Sequence, residues 1–335
     1  FEMKKLLAGA LALGLSAGVA NAASHADDIT LQLKWVTQAQ FAGYYVALDK
    51  GFYEKEGLNV TIKPGGPDIA PEQIIAGDGA DVITTWMAAG LAARERGIPL
   101  VNIAQPFKTG GLQVNCLKSS GVSSPDDFAG KTMGVWFFGN EYPFYAWMAS
   151  LGLETDGADD NGVTVIKQAF SADPLIQGQA DCISTMTYNE YRQILQAGIG
   201  EDELVTFNYL NMGFGMLEDG LYVKEDRLEE PEFADQMVRF VRASMKGWKY
   251  AEENPEEAAE IVLDNDETGA QTLDHQIYMM GEVAKLTAGS NGELDPADYE
   301  QTVATLLSAI SAENAAITKQ PEGAWTHAIT DEALK

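Results

Sequence analysis

Apolar and polar residues alternate over 29–34 (Ile, Thr, Leu, Gln, Leu, Lys), the two-residue period of a strand. A polar and aromatic turn, 35–40, follows. Residues 41–53 then put Phe41, Tyr44, Tyr45, Leu48 and Phe52 on one broad side of a helix. Gly57 stops it, and 58–63 alternates again. Strand, loop, helix and strand make one βαβ unit. Its first loop lies at the carboxyl edge of the sheet, where open α/β sheets take ligands.

The alternation continues along the chain. Residues 71–77 and 88–96 read as helices, and 80–84 and 100–104 as buried strands. Three successive strands end in polar or aromatic residues: Trp35, Thr85 with Trp86, and Gln105. Gly110 and Gly111 lead through a linker strand, 112–118, into a second set. Its strands are expected at 131–136, 163–168, 181–185 and 204–209, and its helices at 124–128, 144–151, 174–179 and 188–196. Residues 218–223 read as a return strand. Helices are expected at 231–253, 255–263, 271–287 and 296–318. The spacing of Phe233, Met237, Phe240, Val241, Met245 and Trp248 marks a core-facing stripe. The pattern predicts an α/β protein of two lobes: residues 23–111 with 218–335, and residues 112–217. Two crossings join them, a ligand cleft lies between, and the helical tail packs on the first lobe. Such crossings permit hinge closure.

The start of the chain changes the expected compartment. Phe1 and Glu2 before Met3 look like a tag remnant. Lys4 and Lys5, the apolar run 6–19 and Ala20-Asn21-Ala22 have the form of a signal peptide, cleaved after about Ala22. An uncleaved anchor is the alternative, and the shortness of the run speaks against it. The mature chain is expected to be soluble and exported. Its formal net charge of −28 argues against nucleic acid and opposes long-range attraction of anions. The plainest reading of that acidity is solubility. Cys116 and Cys182 sit in apolar, strand-like runs and read as two buried thiols. An oxidising compartment would also allow them to pair, and sequence does not give their separation. These cysteines and His25, His275 and His327 lack metal-ligand spacing, and no phosphate-binding glycine loop is present, so no cofactor is expected.

Candidate chemistry lies in four loops. Trp35 with Gln38 and Gln40 offers an aromatic plate and two amides; a Trp capping a strand edge is the bland alternative. Thr85-Trp86 fits a cleft wall or an inward-packed helix start equally. In Trp136–Tyr142, Asn140 and Glu141 suit a helix N-cap and first turn, but three aromatics exceed what a cap needs. Thr187 with Glu190 has capping-box spacing, and Tyr188, Asn189 and Glu190 sit beside it. These loops hold aromatics, amides and carboxylates but no Arg or Lys. That favours a flat ligand with N–H donors over an anion. An aminopyrimidine fits, and a flavin nearly as well. Glu141→Gln and Glu190→Gln are each expected to weaken an amino-heterocycle more than roughly tenfold.

The wording of 34–60, KWVTQAQFAGYYVALDKGFYEKEGLNV, resembles the opening of periplasmic solute-binding proteins of ABC importers. It is similar to the branch that binds formylaminopyrimidine, a thiamine pyrimidine precursor; riboflavin, sulfonate and nitrate binders are wider relatives. The resemblance spans about 29–223. It implies the type II two-lobed fold, a periplasmic monomer, a small-molecule ligand and an ABC permease as partner. It also implies that Trp136, Asn140 and Glu141 line the cleft and that Tyr188, Asn189 and Glu190 meet the ligand. Some eukaryotic relatives are enzymes that make the thiamine pyrimidine with a catalytic His, iron and a Cys-rich motif. This chain has no Cys cluster, and its histidines read as lying away from the cleft, so a receptor and not an enzyme is expected.

Overall fold

The computed structural model describes residues 26–155, 157, 161–310 and 314–335. The proposed signal peptide lies outside them.

Two five-stranded sheets form the two lobes. The strands are β1 (Asp27–Gln32), β2 (Leu58–Lys63), β3 (Val82–Thr85), β4 (Leu100–Ala104), β5 (Leu112–Leu117), β6 (Thr132–Val135), β7 (Thr164–Lys167), β8 (Cys182–Met186), β9 (Leu204–Asn208) and β10 (Gly220–Lys224). The first sheet has the order β2-β1-β3-β10-β4, and the second β7-β6-β8-β5-β9. β1 runs parallel to β2 and β3, while β10 returns antiparallel between β3 and β4. In the second sheet β6 runs parallel to β7 and β8, and β5 lies antiparallel to β8 and β9.

The chain therefore crosses between sheets twice, after β4 and before β10. The Glu218 carboxylate ties the crossings together by accepting from Gly111 N–H (3.0 Å to each oxygen) and Leu112 N–H (3.1 Å). The helices Pro231–Glu253 and Pro255–Asp264 pack on Ala42–Asp49 of the first lobe. Trp248 meets Tyr44 and Phe107 edge to face at 5.6 Å each. Further along, Asn102 of β4 forms a bridge with Trp325.

Three local expectations are corrected. The helix expected over 41–53 is two, Ala42–Asp49 and Phe52–Lys55, because Gly51 turns left-handed (φ 68°) between them. The helix expected over 296–318 is Pro296–Leu307. Cys116 and Cys182 are not separate thiols. They face each other across β5 and β8, Cα atoms 4.0 Å apart, and form a disulfide.

Candidate functional site

The carboxyl ends of β1 and β3 face those of β6 and β8 across a narrow cavity. Ten residues line it: Lys34, Trp35, Gln38, Gln40 and Trp86 from the first lobe, and Trp136, Asn140, Met186, Tyr188 and Glu190 from the second. The space between its walls is about 300 Å3, including the part open to solvent.

Direct bonds draw the lobes together. Lys34 Nζ donates to the Phe138 carbonyl (2.8 Å), and Trp35 meets Trp136 edge to face at 5.8 Å. Asn189 Nδ2 donates to Gln38 Oε1 (3.3 Å), and Arg96 donates to the Tyr142 hydroxyl (2.8 Å). Lys167 pairs with Asp68 at the exposed rim (2.6 Å). The loop that receives Lys34 is unusually shaped. Phe138 has φ 64°, costly for a residue with a Cβ. Gly139 has φ 120°, and a Cβ there would sit 2.5 Å from the Ala89 methyl of the opposite lobe.

Eight of the twelve residues expected at the site line this cavity: Trp35, Gln38, Gln40, Trp86, Trp136, Asn140, Tyr188 and Glu190. Four do not. Thr85 is buried in β3 and donates to Glu72. Gln105 belongs to the crossings: its amide donates to Phe107 O (3.0 Å) and Glu218 O and accepts from Asn102 (2.9 Å). Glu141 turns back on its own loop, where Oε2 accepts from Gly139 N–H (2.6 Å). Asn189 stands behind the wall and holds Gln38 and Glu190 in place. The capping roles also differ. Asn140 and Asn189 occupy N-cap positions, but neither side chain caps its helix. The Glu190 carboxylate accepts from Met186 N–H (2.9 Å) and Asn189 Nδ2 (2.8 Å).

Sequence reasoning missed Lys34, Met186 and His275. Lys34 closes the alternating run 29–34, two residues past the end of β1, so the loops beyond it read as free of cations. Its ammonium lies 5.9 Å from the Trp86 ring and faces the cavity. A Lys at the carboxyl end of the first strand was the available signal. His275, expected far from the cleft, bonds Asn189 Oδ1 through Nε2 (2.7 Å). Its distance along the chain gave no sign of this.

Burial sets the electrostatics. It pushes Glu190 up to about 7, against three hydrogen bonds that favour its ionised form, from the backbone of Met186 and of Glu190 itself and from the Asn189 side chain. Glu218 is raised to about 8 by burial, and Asp219 to about 6, the latter moderated by Gln40 Nε2 (2.7 Å) and the Lys34 charge. Trp86 Nε1 and the Tyr188 hydroxyl are buried at the cavity without a protein partner. The site thus offers stacking faces, unpartnered donors, amides, one ammonium and one carboxyl poised between its charge states.

A cleft between two α/β lobes, walled by indole rings and amides and drawn shut by lobe-to-lobe bonds, defines a two-lobed binding protein. The chain belongs to the NMT1/THI5-like family, which matches it over residues 38–258. It is 23% identical to the formylaminopyrimidine-binding protein of Halalkalibacterium halodurans over 287 residues, 84% of each chain. It is 26% identical over 248 residues to the riboflavin-binding protein RibY of Chloroflexus aurantiacus (72% of this chain, 68% of that one). Identity to a 4-amino-5-hydroxymethyl-2-methylpyrimidine phosphate synthase of Legionella pneumophila is 27% over 241 residues (70% and 72%). The periplasmic aliphatic sulphonate binding protein SsuA of Escherichia coli shares the fold, with TM-score 0.64, 13% identity and coverage of 89% of this chain and 90% of that one. Among the described residues no helix is long and apolar enough to cross a membrane.

Proposed function

We propose that this protein is the extracytoplasmic solute-binding receptor of an ABC importer and that its ligand is a small nitrogen heterocycle, a thiamine-precursor pyrimidine or close analogue. The observation that carries the ligand class is the meeting of two indole rings, Trp35 and Trp136, one from each lobe and edge to face, beside the buried Glu190 carboxyl in one cavity. The rings stack a flat heterocycle. Glu190 accepts from its amino group, and Trp86 Nε1 donates to a ring nitrogen or carbonyl. Lys34 removes the argument that the site lacks a cation, but its ammonium is already bonded to Phe138 and shares the cavity with Glu190. That pairing suits a neutral or weakly basic ring better than a sulfonate, which asks for several free donors.

The receptor reading is preferred to an enzymatic one. The ten lining residues include no Ser, Cys or His to serve as nucleophile or imidazole base. The relative named as a synthase keeps the other reading open to assay. Ligand capture adds to a closure that the lobe-to-lobe bonds already favour, because both lobes contact the ligand only when shut. The closed form then docks on a permease in the periplasm. This chain acts as a monomer in that cycle.

A thermal-shift screen of formylaminopyrimidine, thiamine, riboflavin, purines, taurine and nitrate tests the assignment. A pyrimidine at about a hundredfold excess over its Kd should stabilise the fold by about 2.7 kcal/mol. Stabilisation by taurine or nitrate alone would overturn the ligand class. Product formed from the pyrimidine would overturn the receptor reading.

A further inference from the structure

The helix Leu273–Thr287 belongs to the tail, yet its first turns grip binding loops of both lobes. Toward the first lobe, Gln276 Oε1 accepts from Ala39 N–H (2.7 Å). Gln271, just before the helix, donates to Thr37 O (3.1 Å) and accepts from Gln276 Nε2 (2.8 Å). These bonds fix the segment that carries Gln38. Toward the second lobe, His275 meets Asn189, and Asp274 pairs with Arg192 (2.7 Å). Tyr278 donates to Thr187 O (3.1 Å) and lies under the Arg192 guanidinium at 4.4 Å. At its far end the helix reaches the crossing, where Leu286 O accepts from Lys108 N–H (2.9 Å).

Asn189 is the meeting point. Its Nδ2 donates to Glu190 Oε1 and Gln38 Oε1, and its Oδ1 accepts from Gln193 Nε2 (3.1 Å) and His275 Nε2 (2.7 Å). A primary amide has two hydrogens and two lone pairs, so all four positions are used. Turning the amide over would set its N–H groups against two donors and its oxygen against two acceptors. Gln193, whose oxygen accepts from Ala172 N–H (3.2 Å), and the Glu190 carboxylate set Asn189 Oδ1 toward the imidazole, so Nε2 is the nitrogen that carries the proton, and Nδ1 is buried without a partner. The imidazole then makes the shortest of the four bonds that hold the Asn189 amide (2.7 Å). The amide in turn fixes the Glu190 carboxyl and the Gln38 amide at the cavity.

We propose that the start of this tail helix is a third element of the binding site and that His275 is a positioning residue. It touches no ligand, and through Asn189 it aims Glu190 and Gln38 and holds the lobes together. The effect on ligand affinity rests on the function proposed above; the effect on closure does not.

The test uses the full chain with His275→Ala, His275→Gln, Asn189→Ala and the double His275→Ala/Asn189→Ala. Glutamine places an N–H donor near the position of Nε2 and serves as the rescue. Small-angle scattering of each protein without ligand reads closure, and calorimetry with formylaminopyrimidine reads affinity. We expect a larger radius of gyration in His275→Ala, return toward wild type in His275→Gln, and no further change in the double variant beyond Asn189→Ala. Affinity for the probe should fall about tenfold in His275→Ala and recover in His275→Gln. If His275→Ala fails to fold, the His275→Gln and Asn189→Ala comparison carries the test: wild-type closure in both overturns the proposal. So does a folded His275→Ala with wild-type dimensions, or additive effects in the double variant. If wild type does not bind the probe, the proposed ligand fails, and the scattering series still decides the role of His275.

Discussion

Trp35, which follows β1, and Trp136, which follows β6, meet edge to face with ring centroids 5.8 Å apart, one from each lobe. Trp136 is further held by its Nε1 donating to Ala169 O (2.7 Å), while Trp35 is only half-buried. The pair contributes about 0.5–1.5 kcal/mol to the shut state. Trp35→Ala should therefore leave the melting temperature within a few degrees of wild type and weaken a stacked heterocycle at least about tenfold. Thermal melts and calorimetry on the same samples separate these effects. An equal loss of both would mean that Trp35 is a core residue.

Lys34 joins the lobes through the Phe138 carbonyl. Lys34→Met keeps most of the apolar stem and removes the donor. A hydrogen bond from a charged group is worth about 1.5–3 kcal/mol, so the closed population should fall roughly tenfold or more. Scattering profiles would show a more extended particle. A wild-type profile would assign closure to the remaining contacts.

Three buried carboxyls set a pH dependence. Glu190, Glu218 and Asp219 are raised to about 7, 8 and 6 by burial. The folded state therefore holds protons that the unfolded chain has released. Their contribution is fully present below about pH 4, where the unfolded chain is protonated too, and is lost as pH rises through 6 to 8. His275, lowered by burial and by Arg192, opposes this trend below about pH 6.5. Melting should fall by several degrees between pH 6.5 and 8.5, and Glu218→Gln should flatten the slope. A flat wild-type profile across that interval would contradict these shifts.

The disulfide Cys116–Cys182 closes a sequence separation of 66 residues. Loop-closure entropy gives about 4 kcal/mol for a ring of that size. Cys116→Ala/Cys182→Ala should lower the unfolding free energy by about 2–5 kcal/mol. Chemical denaturation measures it directly. A change under about 1 kcal/mol would show that the bond constrains the unfolded chain little.

The strands were legible because each keeps a two-residue alternation or a short apolar run between turn residues. Long helices such as Pro231–Glu253 were legible from their stripe. What stayed hidden needed register or distance. Two cysteines in separate strands become partners only when β5 and β8 pair with Cys116 opposite Cys182. Thr85 and Gln105 sit at strand ends like Trp35, but one is spent on Glu72 and the other on the crossings. Position at the ligand edge was informative, and the direction of the side chain was not encoded there. Lys34 was overlooked because the alternating pattern runs on past Gln32, where β1 ends, and so hides that Lys34 already belongs to the loop. His275 reaches Asn189 from 86 residues away in sequence, a contact that no local pattern announces.

The central claim is that Glu190 reads an amino-heterocycle in the gap between the lobes. Calorimetric titration of formylaminopyrimidine into wild type and Glu190→Gln tests it most directly. The account predicts one site per chain in wild type and affinity at least about tenfold weaker in the variant, since a carboxylate acceptor is worth about 1.5–3 kcal/mol. Equal affinities in the two proteins, or no binding by wild type, would contradict it.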